Sequence, residues 1–74
     1  MSELVASRRL RRPEMRRALR LEAGLTLDDI AGKLGVTRSA VSRWERGLRK
    51  PQGRNRIAYA SLLTELEKVV ADDV

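Results

Sequence analysis

TLDDIAGKLGVTRSAVSRWERG, residues 26–47, reads as two short helices joined by a tight turn at Gly35. In the first piece Ile30, Ala31 and Leu34 recur at helical spacing; in the second, Val36, Ala40, Val41 and Trp44 do the same. Thr26 suits the N-cap of the first helix, with Asp28 and Asp29 in the first turn, where carboxylates meet the positive end of the helix dipole. Thr37 has the matching role for the second helix, and Gly47 suits its C-terminal stop. A helix, a glycine-containing turn and a second helix make a helix-turn-helix. Any antiparallel pair of surface helices shares the bare periodicity, but three details go further. Ala31 is small where two helices must approach closely, Gly35 tolerates positive φ at the turn, and the outward positions of the second helix carry no carboxylate. Those positions are Arg38, Ser39, Ser42, Arg43 and Arg46, a face suited to phosphates and base edges.

The rest of the composition narrows the class. The chain has 74 residues, enough for one small domain near the lower limit for an autonomous core. Trp44 and Tyr59 are its only aromatic residues, so the core must be aliphatic and self-association is an expected supplement. There is no Cys and no His, which excludes disulfides, the usual zinc sites, thiol nucleophiles and imidazole acid–base chemistry. The acidic pairs Asp28/Asp29 and Asp72/Asp73 have no ligand set around them, Ser39 and Ser42 have no base beside them, and no glycine-rich phosphate loop occurs. Neither enzymatic activity, nor a metal, nor a cofactor, nor a small-molecule ligand is expected. No apolar run approaches membrane-spanning length and no signal-peptide region opens the chain, so no membrane association and a cytoplasmic location are expected.

Net charge is +6, and its distribution is uneven. Residues 8–20 hold seven Arg against one Glu, whereas Glu65, Glu67, Asp72 and Asp73 face only Lys68 near the C-terminus. A basic body with an acidic tail gives one face to a polyanion and turns another away. The excess is nearly all Arg, the residue suited to phosphate and guanine.

Three segments flank the motif. Residues 1–12 form a basic extension, either a short helix using Leu4, Val5 and Leu10 or a basic arm able to enter a minor groove. The domain proper is expected over 13–71. Pro13 suits the first position of a helix that carries Met15, Ala18, Leu19 and Leu21 and stops at Gly24, with Arg16 and Arg17 solvated or near phosphate. After a loop containing Arg49, Lys50, Pro51 and Gly53, no helix breaker stands between Arg54 and the C-terminus, so a single long helix is expected, with residues 72–74 frayed. Its apolar stripe is wide. Ile57, Tyr59 and Leu63 are assigned to the core, which leaves Leu62, Leu66, Val69 and Val70 as surplus apolar surface for a two-fold dimer, if the N-terminal segment does not cover it. Trp44 and Tyr59 are read as packing residues, the Tyr59 hydroxyl at the rim.

LRLEAGLTLDDIAGKLGVTRSAVSRWERGLRKP, residues 19–51, resembles the XRE-type helix-turn-helix family, the fold of the lambdoid phage Cro proteins and repressor N-terminal domains. The likeness extends over about residues 14–66, and its most specific part is SRWERG followed by a basic residue and a proline. The N-terminal extension and the unbroken last helix depart from the family pattern. The resemblance implies an all-α, lambda-repressor-like domain of four to five helices. It implies that Arg38, Ser39 and Arg43 read bases, the arginines through bidentate bonds to guanine. Thr37, Ser42, Arg46, Arg49 and Lys50 are then expected on phosphates, with the amides that open the Thr26 helix. It also implies a structural ion pair between Arg20 and Glu45, since Glu45 lies on the inward side beside Trp44 and needs a cation.

The expected function is therefore that of a sequence-specific regulator of transcription, bacterial or phage-encoded and nucleoid-associated. It would bind double-stranded DNA at a palindromic operator as a homodimer, formed in solution or only on DNA, and repress by occluding a promoter. The alternatives are an accessory DNA-binding factor for recombination and an antitoxin- or anti-repressor-type module that holds a partner protein on the same fold.

Overall fold

The computed structural model describes residues 10–72, so the expectations for residues 1–9 and for the last two residues lie outside the described residues. Four helices follow in order: α1 Pro13–Glu22, α2 Leu27–Leu34, α3 Arg38–Glu45 and α4 Arg54–Asp72. No strand occurs among the described residues. The architecture is all-α, with α2 and α3 forming the helix-turn-helix and α1 and α4 packed behind it.

The boundaries follow from local chemistry. Pro13 opens α1, where its missing N–H costs nothing. A capping box opens α2: the Thr26 hydroxyl accepts from the Asp29 amide at 3.0 Å, and Asp29 accepts from the Thr26 amide at 2.8 Å. Those bonds hold the Asp29 carboxyl below the usual carboxylate range. Thr37 caps α3 with a single bond, its hydroxyl accepting from the Ala40 amide at 3.1 Å. Between the two helices Gly35 takes φ +67°, which a residue with a Cβ adopts only under strain. At the end of α3, Gly47 has φ +71° and donates to the Trp44 carbonyl, while Leu48 donates to the Arg43 carbonyl. This is a Schellman stop. A Cβ on Gly47 would also meet the Pro13 ring at 3.4 Å, so the end of α3 packs tightly on the start of α1.

The core joins Leu19 of α1, Ile30 and Ala31 of α2, Val41 and Trp44 of α3, and Tyr59, Leu63 and Leu66 of α4. Trp44 and Tyr59 stack obliquely, ring centroids 5.0 Å apart, and fix α3 against α4.

Two faces differ from expectation. On α4, Leu66 is a core residue, 5% exposed, whereas Ile57 is 59% exposed. The reason is helical geometry. Leu66 stands seven residues after Tyr59 and so lies almost on its line, while Ile57, two residues before Tyr59, points the other way. Of the apolar patch proposed for dimerisation, Leu66 is therefore withdrawn into the core, Leu62 and Val70 are half-buried, and Val69 is exposed. On α1, Met15, Ala18 and Leu21 are exposed, and the inward line runs instead through Arg16, Leu19, Arg20 and Ala23. The Tyr59 hydroxyl is fully buried and makes no hydrogen bond, so it does not sit at a rim.

Candidate nucleic-acid interface

The inner side of α3 is closed by Val41, Trp44 and Glu45, and this leaves the other side to solvent. Arg38, Ser39, Arg43 and Arg46 are exposed there and Ser42 is half-exposed. With Leu27 these five side chains line one shallow depression along the helix. The sequence spacing thus becomes a continuous surface that presents guanidinium and hydroxyl groups and no carboxylate. On α2 the Asp28 carboxylate is 3.9 Å from the Arg38 guanidinium, with both side chains largely exposed. Such an open pair holds little energy and yields readily to a phosphate or a base edge. Arg46 lies back along the helix, donating from Nε to the Ser42 carbonyl at 3.4 Å.

Arg49 and Lys50 are exposed in the loop after α3. They line a second depression with Arg43 and also with Gln52 and Asn55, two amides that sequence reasoning did not single out. Their only sequence signal is their position on either side of Gly53 at the start of α4. Thr37 is exposed, but its hydroxyl oxygen already accepts the α3 cap bond; the hydroxyl proton remains available to an acceptor. The expectation that amides opening α2 meet phosphates is weakened at Thr26 and Asp29, whose N–H groups are taken up in the capping box.

Behind this surface lies a buried charged assembly. Arg20 is bidentate on Glu45, Nε to Oε2 at 2.6 Å and Nη2 to Oε1 at 2.9 Å, and its Nη1 donates to the Leu25 carbonyl at 3.0 Å. Both residues are buried, 8% exposed each. One guanidinium thereby ties α1, the α1–α2 turn and α3 together, and the hydrogen bonds to Glu45 raise the Arg20 pKa above its ordinary value. Arg16, expected to be solvated or near phosphate, is instead engaged inside. Its Nη1 donates to the Trp44 carbonyl at 3.0 Å, its Nε to the Arg11 carbonyl at 2.5 Å, and its guanidinium lies 5.9 Å from the centre of the Tyr59 ring. Arg11 in turn pairs with Glu67 and donates to Thr64 at 3.3 Å, which ties the chain just before α1 to α4. Neither the spacing nor the composition signals the Arg11 and Arg16 contacts, because their acceptors are main-chain carbonyls or distant in sequence.

A family model described as helix-turn-helix, of the XRE type, matches residues 17–64, well over half of the chain. The chain belongs to this XRE-type helix-turn-helix family. The matched span holds all of α2 and α3, most of α1 and the first half of α4, so the family assignment and the observed motif coincide. The XRE-type family is one of DNA-binding regulators and is not typically enzymatic, and membership places the protein among them. No curated protein and no solved structure matches the chain significantly. Among the described residues, no group of acids could hold a metal ion and no helix is long and apolar enough to cross a membrane.

Proposed function

We propose that the protein is a sequence-specific, Cro- or repressor-like regulator that lays α3 in the major groove and represses transcription by occluding a promoter. The observation that carries this reading is the outward face of α3: an exposed row of Arg38, Ser39, Ser42, Arg43 and Arg46 free of carboxylates, on a helix anchored from behind. Arg38, Ser39 and Arg43 read base edges, the two arginines preferring guanine. Thr37, Ser42, Arg46, Arg49 and Lys50 hold phosphates and set the register. Occupancy of a promoter by this domain is sufficient for repression in this reading. The cell's cytoplasm is where such a protein would meet its DNA.

An eight-residue recognition helix reads few base pairs, so we place two copies on a palindromic operator, half-sites one helical turn or about 34 Å apart. The pairing face on α4 is Val69 with the half-buried Leu62 and Val70. Val69→Glu is expected to leave the fold intact, abolish cooperative occupancy of the palindrome and retain weak half-site binding. Full-site binding at wild-type affinity by that variant would remove α4 as the interface.

Selection of bound sites from random duplex DNA, followed by titration at several salt concentrations, tests the whole reading. A guanine-containing palindrome and a steep loss of affinity with salt are expected, since phosphate contacts release counterions. A protein that enriches no sequence and binds DNA no better at low salt would instead point to a partner-holding role.

A further inference from the structure

We propose that Arg16 is a positioning residue for DNA reading, joining the C-terminal end of the recognition helix to the segment that precedes α1; the proposal rests on the DNA-binding reading above. The Trp44 carbonyl belongs to the last turn of α3, where backbone acceptors lack helical partners. It has two lone pairs, and both are used: the Gly47 amide donates at 3.3 Å and Arg16 Nη1 at 3.0 Å. A guanidinium there also meets the negative end of the helix dipole. The same group reaches in the opposite direction to the Arg11 carbonyl at 2.5 Å. The Arg11 side chain grips Glu67 and Thr64 on the far half of α4. A chain of charge-assisted contacts therefore runs from α4 through Arg11 and Arg16 to the end of α3.

The anchoring of α3 is uneven without it. Arg20 ties Glu45 to the α1–α2 turn at Leu25, whereas Arg16 ties the backbone one residue earlier to the Arg11 carbonyl before α1. Two anchors at the end of an eight-residue helix fix its tilt, and tilt sets where Arg43, one residue before Trp44, meets a base edge. Arg16 itself is half-buried, its guanidinium lying beside the Tyr59 ring, so its charge is spent inside the fold rather than on phosphate. Two acceptors in different directions require the guanidinium fork; an ammonium at the same place keeps the charge and loses the geometry.

The test compares Arg16→Gln, Arg16→Lys and Arg11→Gln with wild type on a selected duplex and on random DNA, across salt. Both Arg16 variants are expected to lower the ratio of specific to random affinity on the order of two- to thirty-fold, the range for residues that act through a network. The salt slope should not change, and amide exchange at Gly47 and Leu48 should quicken. Arg11→Gln should lower the ratio in the wild-type background and add nothing to Arg16→Gln. If Arg16→Gln fails to fold, Arg16→Lys carries the same readouts. An equal loss on all duplexes with a shallower salt slope would make Arg16 a phosphate contact and overturn the proposal. A lower melting temperature with unchanged discrimination, or full rescue by Arg16→Lys, would overturn it as well. Should wild type itself not discriminate among duplexes, the DNA reading fails first, and unchanged exchange at Gly47 and Leu48 would separately refute the anchoring.

Discussion

The arginines of α1 and those of α3 are the same residue in two opposite uses. On α1, Arg16 and Arg20 stand four apart on the inward face beside Leu19, and each guanidinium finds acceptors at the end of α3. On α3 and its C-cap, Arg38, Arg43 and Arg46 face solvent, and among the described residues their one ion pair is the loose contact of Arg38 with Asp28. A buried cation is tolerable only when its donors are satisfied, whereas an exposed one keeps its charge for a partner. Local arginine density is therefore a poor guide to where a polyanion binds: the arginine-rich segment before α2 is partly internal scaffolding. What distinguishes the two sets is whether an acceptor of this same chain lies within reach.

The sharpest way to break this comparison is to remove the acceptor from the internal set. Glu45→Gln leaves the Arg20 cation buried without its counter-charge and is expected to cost about 3–5 kcal/mol, read as a large fall in melting temperature. If the pair behaved as two solvated charges, the cost would be about 1 kcal/mol or less. The double variant Arg20→Met, Glu45→Leu should recover most of the loss, because an apolar pair of similar volume needs no desolvation. Failure to recover would mean that the Arg20 bond to the Leu25 carbonyl matters more than the pair.

On the external set the effect should appear in binding and not in stability. Arg43→Ala is expected to lose about 1–3 kcal/mol on the preferred site and to relax preference at one base position, with melting unchanged. Equal losses on specific and random duplexes would sink its base-reading role. Arg49→Ala should weaken every duplex alike and make the salt slope shallower by about one unit. A change in sequence preference instead would move Arg49 from phosphate to base.

The smallest effect concerns the ring between the two sets. Burial pushes the Tyr59 hydroxyl up to about 12 from its ordinary 10.0, and the negative charge of Glu45 adds to the rise. The folded state thus holds this proton more tightly than the unfolded chain. The associated stability is complete below pH 10 and is lost as pH rises through 10 towards 12. Because the hydroxyl makes no hydrogen bond, Tyr59→Phe is expected to be neutral or to stabilise by about 1 kcal/mol or less, and to remove that alkaline loss. Tyrosinate absorbance appearing at the ordinary pH in the folded protein would show that the ring is more open than its packing indicates.

Most of α2 and α3 was legible because their signals are local. A threonine cap, a carboxylate in the first turn and a glycine at the turn act within four residues, and each is used as the residue types dictate. The unbroken α4 was legible for the same reason, since nothing in residues 54–72 stops a helix. Which way α4 faces was not. A stripe with apolar residues at 57, 59, 62, 63, 66, 69 and 70 fits more than one rotation, and the choice falls to whichever line meets Trp44 and Ile30. Leu66 went inward and Ile57 outward on that account. The inward face of α1 escaped for a different reason: hydropathy counts Arg16 and Arg20 as polar, although each buries its stem and satisfies its head within the fold.

By itself the sequence determined the elements and the chemical character of the recognition face. Caps, breakers and a carboxylate-free row at positions 38, 39, 42, 43 and 46 are properties of short stretches of chain. Only the tertiary structure decided which cations are spent inside, how Arg11 is tied to α4, and which leucine of α4 closes the core. The side-chain contacts that decide them reach far along the chain: Arg20 to Glu45 spans 25 residues, Arg16 to the Trp44 carbonyl 28 and Arg11 to Glu67 56. A side chain's neighbours at that separation are set by packing, and no periodicity along one helix encodes them.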